Sequence, residues 1–341
     1  MIEDAGDKQL TQQEAEYFGK KIRDGEVVAF PTETVYGLGA NVFDEKAVAK
    51  IFVAKNRPAD NPLIVHIYSL DQLPLVAQSV TPTELSLFRT FSPGPLTVLV
   101  QKKSTVPAIV TAGSPLVGVR LPNHVIAQQL LVAAKTPIAA PSANKSGKPS
   151  ATHHQHVVEA FGSEVPNVIK AGKTTLGVES TVVLVRNENE IIVMRQGAIS
   201  VEEIQEKFPD FSVHLVGKKD HEVTASPGTR YRHYAPKGEI VVLPADSTVA
   251  GNMMRELAHS TDISNGESAA FYFEAIQKVM VGNNFSIETV VSNSSEALQL
   301  LFDFLLQCDK LDSKKIVIQL SDGTGVGATY NERVLRAAGK I

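Results

Sequence analysis

At 341 residues, with 43% hydrophobic and 21% charged positions, the chain has an ordinary globular composition and length for about two domains, which excludes disordered and fibrous classes. A formal net charge of -4 argues against a protein whose main task is gripping nucleic acid through counterion release, so any weak RNA contact is expected to be local or delivered by a partner. The single cysteine, Cys308, excludes a disulfide framework or a cysteine-rich metal site within one chain and fits a reducing compartment.

The N-terminal stretch MIEDAGDKQLTQQEAEYF is acidic and polar, with no basic leader and no apolar run, so a cytoplasmic protein with no membrane association is expected. Thr11 and Glu14 have capping-box spacing before a helix running to about Asp24, and Glu26 to Phe30 reads as a short strand ending at Pro31. Asp44 can cap the helix DEKAVAKIFVAK, which Pro58 stops, and PLIVHI alternates like a strand. Further strands are expected at LTVLV, VGVR, TPIAA, STVVLV and IIVMR, with helices near His124 to Ala134 and Val201 to Lys207. From about Val216 to Lys237 the chain is polar, holds Pro227, Gly228 and Pro236, and has no apolar period, which marks a linker. Beyond it, EIVVLPA, AAFYF, TVVSN and KIVIQL read as strands, with EALQLLFDFLLQ and NERVLRAA as helices. The expected fold class is α/β, in two domains.

Several segments carry chemistry. Thr32, Glu33 and Thr34 place polar groups where a buried strand ends, the position at which open α/β sheets bind ligands, and Gly37 and Gly39 permit close backbone approach. Lys55 and Arg57 lie just past a helix end, where a compact ammonium and a planar fork suit a carboxylate beside a phosphate; basic residues there also serve as helix-dipole partners. His66 stands on the strand face opposite Leu63, Val65 and Ile67, and no second histidine has metal-ligand spacing to it. His153, His154 and His156 are spaced too tightly for one helix face and read as a solvated loop. The loop of PIAAPSANKSGKPSAT offers Ser142, Asn144, Lys145, Ser146 and Lys148, groups able to ring a polyphosphate or to line a flexible surface loop. Arg120, Ser180 and Arg195 are further polar residues at strand ends. The glycine-rich run DGTGVGATYNER lacks both the Walker lysine and G-x-G-x-x-G spacing, so a tight strand-to-helix turn accounts for it.

In order, PTETVYGLG, KNRP with NPL and a following VH, SPGPLT, VGVRLP, APSAN-SG-PS, ST and RQG resemble the YrdC-like family over about residues 10 to 215. SPGTRYRHYAP followed by an α/β domain is similar to the longer, two-domain threonylcarbamoyl-AMP synthases. The resemblance implies a twisted open mixed sheet with helices over residues 1–215. It further implies a linker or lid over 216–238 and a smaller Rossmann-like accessory domain over 239–341.

The implied activity is nucleotidyl transfer: L-threonine, bicarbonate or carbon dioxide, and ATP with Mg2+ yield threonylcarbamoyl-AMP and pyrophosphate, as the first step of a tRNA modification completed by a downstream transferase complex. The family's KxR and SxN tetrad falls on Lys55, Arg57, Ser142 and Asn144. Threonine is expected on Thr34, His66, Arg120, Ser142 and Ser180, and ATP on Arg57, Asn61, Asn144, Thr152, Arg195 and Tyr234. Magnesium is expected on the phosphates and water rather than on protein ligands. A tRNA-binding module, a carbamoyl-transfer maturation enzyme and a sugar-phosphate lyase are the rival readings. The single cysteine opposes the zinc fingers of the second, and the isolation of Glu33 opposes the clustered acidic metal ligands of the third.

Overall fold

The structure, a computed structural model, describes residues 9–217, 233–259, 267–280 and 285–341. Packing divides the chain into two units, 1–146 with 150–230, and 147–149 with 231–341.

The first unit begins with the helix Gln12–Arg23, closed at its start by the capping box: Glu14 N donates to Thr11 Oγ1 at 3.2 Å, and Thr11 N to Glu14 Oε2 at 2.8 Å. Gly19 in this helix lets it approach the helix Val125–Ala134, because a Cβ there would lie 2.5 Å from the Ala133 carbonyl carbon. Asp44 caps Glu45–Lys55 by accepting from Lys46 N and Ala47 N, and Asn56 ends that helix at φ 51°. Lys55 is therefore the last helical residue rather than one just past the end, and Arg57 alone lies beyond it.

Ten strands form one mixed sheet: β1 Val28–Phe30, β2 Gly37–Asn41, β3 Ile64–His66, β4 Ala77–Ser79, β5 Leu96–Lys102, β6 Leu116–Arg120, β7 Ile138–Ala140, β8 Thr181–Asn187, β9 Glu190–Arg195 and β10 Ser212–Leu215. Their order is β1-β2-β7-β3-β6-β5-β8-β9-β10, with β4 beside β5. The pairs β3–β6, β5–β8 and β9–β10 are parallel and the others antiparallel. Phe30, Leu38, Val65, Val98, Val119 and Ile138 join one fully buried core with Ile51 and Leu130 of the helices. Each such side chain contributes about 1.5–3 kcal/mol relative to exposure. Leu99, Val182, Leu184, Ile192 and Met194 form a second cluster.

Two helices of this unit depart from the sequence expectation. Pro82–Phe91 forms with its own capping box, Thr81 with Glu84, and proline in its first turn. His154–Phe161 is a helix with buried His153 as its N-cap, accepting from Gln155 N, so these histidines open a helix instead of lying in a solvated loop. An N-cap needs a side-chain acceptor, and an imidazole nitrogen supplies one.

The second unit holds four parallel strands, β11 Glu239–Leu243, β12 Ser268–Phe273, β13 Ile287–Val291 and β14 Lys315–Gln319, in the order β11-β14-β12-β13. Helices Ser247–His259, Ser294–Lys310 and Val326–Ala337 are its longest. The last begins well before the expected NERVLRAA, since Gly325, at φ 52°, starts the helix and draws GATY into it. The glycine-rich turn is packed: Ser321 N donates to Asn331 Oδ1 at 2.9 Å, and a Cβ on Gly327 would lie 2.6 Å from Ser321 Oγ. Among the described residues no helix is long and apolar enough to cross a membrane.

Candidate active site

The hairpin between β1 and β2 is the hub of the candidate site. After Phe30, Pro31 stops the strand, and Thr32 Oγ1 donates to Val35 O at 2.7 Å and lies 2.8 Å from Thr34 Oγ1, fixing a tight buried turn. Where the strand resumes, Gly37 pairs with Phe30 and bridges to Ser142. Tyr36 N donates to Ala151 O and Tyr36 O accepts from Ala143 N. The hairpin thereby holds both ends of the Ser142 to Ala151 loop. A side chain at Gly39 would press on Ile138 and Phe30 at 2.6 and 2.8 Å, so backbone approach there excludes a Cβ.

One cluster lies at the ends of the parallel pair β3 and β6. His66 and Arg120 are register partners, and Ile67 N donates to Arg120 O at 2.9 Å. Arg120 Nε donates to Gly94 O at 3.2 Å, while its Nη2 lies 2.6 Å from Glu33 Oε2. All three side chains are buried, His66 at 4%, Arg120 at 3% and Glu33 at 6% exposure. The Glu33 contact is an ion pair without hydrogen-bond direction: among the described residues neither carboxylate oxygen nor Arg120 Nη2 has a hydrogen-bond partner, and His66 Nδ1 has none. Burial first, and the Arg120 charge second, hold the His66 imidazole down at a pKa of about 3, so it is neutral. Sequence reasoning noted Glu33 as a polar strand-end residue and gave it no role. Its signal was a lone carboxylate in a run of threonines.

A second cluster joins the helix end to the serine-asparagine loop. Lys55, 1% exposed, donates from Nζ to Ser142 O at 2.6 Å and to Asn144 O. Burial, with the Arg57 charge next, pushes its pKa well below the usual lysine value. Ser142 Oγ donates to Asn144 Oδ1 at 2.5 Å, and Asn144 Nδ2 to Lys145 O at 2.9 Å. Arg57 curls back, with Nε on Asn61 O at 3.0 Å and Nη2 on Asn61 Oδ1 at 2.7 Å and Pro62 O at 2.8 Å. The two basic residues of the motif thus brace different loops, Lys55 the Ser142–Asn144 turn and Arg57 the Asn61–Pro62 segment.

A third cluster forms where β8 starts and β9 ends. Ser180 Oγ lies 2.8 Å from Thr97 Oγ1, and Arg195 Nη2 donates to Ser180 O at 2.7 Å and to its Oγ at 3.2 Å. Gly197 is required beside it, since a Cβ would meet the Ser180–Thr181 peptide at 2.4 Å. Ser150 Oγ donates to Glu179 Oε1 at 2.7 Å, and Thr152 Oγ1 lies 3.4 Å from His156 Nδ1. Thr181 N on Pro95 O ties this cluster to the segment carrying Gly94, and hence to Arg120.

Tyr234 lies in the second unit, buried at φ 64°, stacked on Phe302 at 4.8 Å with the Arg333 guanidinium 5.2 Å from its ring. The expected lid residues Arg230, Tyr231 and Arg232 lie outside the described residues. Among the described residues no three His, Cys, Asp or Glu side chains are grouped to hold a metal ion.

Buried arginines at sheet ends, a loop of hydroxyl and amide groups and a fold of mixed sheet plus parallel accessory domain define an α/β protein with its candidate site at the strand ends. Residues 20–197 match the Sua5, YciO and YrdC family described as Telomere recombination, and residues 199–339 match the family described as Threonylcarbamoyl-AMP synthase, C-terminal domain. The threonylcarbamoyl-AMP synthase of Pyrococcus abyssi is 38% identical over 322 residues, 93% of this chain and 92% of that protein. That of Bacillus subtilis is 35% identical over 93% of this chain and 91% of its own length. The crystal structure of Pyrococcus abyssi Sua5 complexed with L-threonine superimposes with a TM-score of 0.88 at 34% identity, covering 97% of this chain and 96% of the other. The chain belongs to the threonylcarbamoyl-AMP synthase family and is a transferase.

Proposed function

We propose that this enzyme makes L-threonylcarbamoyl-AMP and pyrophosphate from L-threonine, bicarbonate and MgATP, as the first step of threonylcarbamoyladenosine formation in tRNA. The observation that carries this reading is the buried Glu33–Arg120–His66 cluster, tied by one hairpin to the Lys55–Ser142–Asn144 loop. Relatives named for this product, and a superimposable relative solved with L-threonine, support it. Carbamate formation on the threonine nitrogen creates a carboxylate, which attacks the α-phosphorus of ATP and expels pyrophosphate. The substrate supplies the nucleophile, so no covalent enzyme intermediate forms, and the protein contributes positioning and charge.

In this reading Arg120 keeps the threonine carboxylate, with Thr34, His66, Ser142 and Ser180 around the amino acid. Arg57, Asn61, Asn144, Thr152 and Arg195 face the nucleotide. Lys55 acts from beneath, its ammonium bracing the two carbonyls that shape the Ser142–Asn144 turn. A neutral His66 can hydrogen-bond a hydroxyl without adding charge beside Arg120. Magnesium enters with the triphosphate and is coordinated by phosphate oxygens and water. The product passes to a threonylcarbamoyl transferase complex acting on tRNA.

The test is pyrophosphate release in the presence of ATP, magnesium, bicarbonate and each amino acid in turn. Release should require threonine and bicarbonate together and fall at least about a hundredfold in Lys55→Ala and Arg57→Ala. Release independent of threonine would refute the assignment.

A further inference from the structure

Glu33 is the one carboxylate of the Arg120 cluster, and its state is unusual for a buried acid. Buried carboxylates are ordinarily satisfied by two or more donors, because losing water without replacement is expensive. Among the described residues neither oxygen receives a hydrogen bond; the compensation there is an ion pair, 2.6 Å from Arg120 Nη2, in a direction that makes no hydrogen bond. The Glu33 carbonyl is anchored, accepting from Leu176 N at 2.8 Å and from Thr175 Oγ1 at 3.3 Å. The carboxylate is therefore held in place by its backbone and left with acceptor capacity. Arg120 is in the same condition: Nε is occupied by Gly94 O, while Nη2 has no hydrogen-bond partner among the described residues.

An α-amino acid carries a carboxylate and an ammonium on one carbon. A buried guanidinium with unspent donors beside a buried carboxylate with unspent acceptors is the complementary pair, since the anion seated on Arg120 brings its ammonium next to Glu33. Neutral imidazole at His66 adds a further polar atom without competing charge.

We propose, resting on the function assigned above, that Glu33 is a catalytic residue that binds the α-ammonium of the amino acid and takes its proton as the carbamate forms. The ammonium, bicarbonate and the Glu33 carboxylate give the carbamate, water and the Glu33 carboxylic acid. The nitrogen–carbon bond forms, one carbon–oxygen bond of bicarbonate breaks and leaves as water, and the remaining proton rests on Glu33 until solvent removes it. Without this acceptor, the amine would have to arrive deprotonated, a minor form at neutral pH. The role also explains why a carboxylate occupies so dry a position: its missing hydrogen bonds are those the substrate supplies.

Calorimetric binding of L-threonine and of its deaminated analogue 3-hydroxybutanoate to the full-length chain tests this. The wild type should bind threonine about a hundredfold more tightly than the analogue, as expected for a desolvated charge pair. In Glu33→Gln the gap should close to within about threefold, through loss of threonine affinity with little change for the analogue. The same variant should lose kcat for pyrophosphate release by about a hundredfold, with Glu33→Asp recovering part of it. Equal weakening of both ligands in Glu33→Gln would overturn the proposal and reduce Glu33 to a brace for Arg120. Equal affinity of the wild type for both ligands, which needs no variant, would overturn it as well. Discriminating binding without threonine-dependent pyrophosphate release would uphold the ammonium site and sink the proposed reaction instead.

Discussion

Replacing His66 with glutamine should remove a large part of the chain's sensitivity to acid. The imidazole is buried and neutral in the folded protein, at a pKa of about 3 against 6.5 for a free side chain. Because the folded value is depressed, the unfolded chain binds the extra proton first as pH falls. The stability contributed by keeping this ring neutral is fully present above about pH 6.5 and is lost progressively as pH falls toward 3. Between pH 7 and pH 4.5 the two titrations differ by about 2–3 kcal/mol of folding free energy, using the folded and unfolded values in the linkage relation. Carboxylates also titrate in this range, so the quantity to read is the difference between wild type and His66→Gln. Denaturant unfolding followed by circular dichroism at several pH values gives it directly. The variant's stability should fall less steeply by about 2–3 kcal/mol across that interval. Parallel curves for the two proteins, or a ring titration by NMR with a midpoint above pH 5, would refute the argument.

Gly39→Ala should lower stability by about 1–3 kcal/mol, measured as a shift in denaturant midpoint at unchanged slope, because its methyl would press on Ile138 and Phe30. Gly197→Ala meets backbone rather than side chains, at 2.4 Å from the Ser180–Thr181 peptide. It should therefore displace Ser180 and reduce threonine affinity more than Gly39→Ala does, as read by calorimetry. The Cys308 thiol, 1% exposed, is pushed up to about 12 by burial and then by the neighbouring Asp309 charge. It should resist iodoacetamide in the native protein at pH 8 and react readily in denaturant, with mass spectrometry counting the adduct.

The segments with strong local grammar were legible in the sequence. Thr11 with Glu14 and Asp44 ahead of an apolar run carry their own stop and start signals, and the structure places helices behind both. The alternation of PLIVHI and VGVR located β3 and β6, although nothing local says that they pair in parallel and set His66 against Arg120. Pairing is a property of distant segments, and for that reason the Glu33–Arg120 ion pair is not legible locally: Glu33 lies in the β1–β2 turn and Arg120 arrives on β6. Lys55 and Arg57 are two apart in the motif and read as a pair suited to a carboxylate beside a phosphate. The left-handed Asn56 between them sends their side chains to different acceptors. The helix beginning at His154 was missed because it is short and starts on an unusual cap.

The strand order has a further consequence for how the enzyme is made. β2 takes its neighbour from near residue 139, and β5 takes one from near residue 182, so the sheet closes across long intervening stretches of chain. Loop-closure entropy is spent before those contacts return anything, which places this unit among slow folders of high contact order. A ribosome-bound chain that has not yet exposed Arg195 has every residue of the Arg120 cluster in hand and lacks the completed β9 and β10 at the far edge of the sheet. The far edge of the sheet is thus the last part of this unit to join during synthesis.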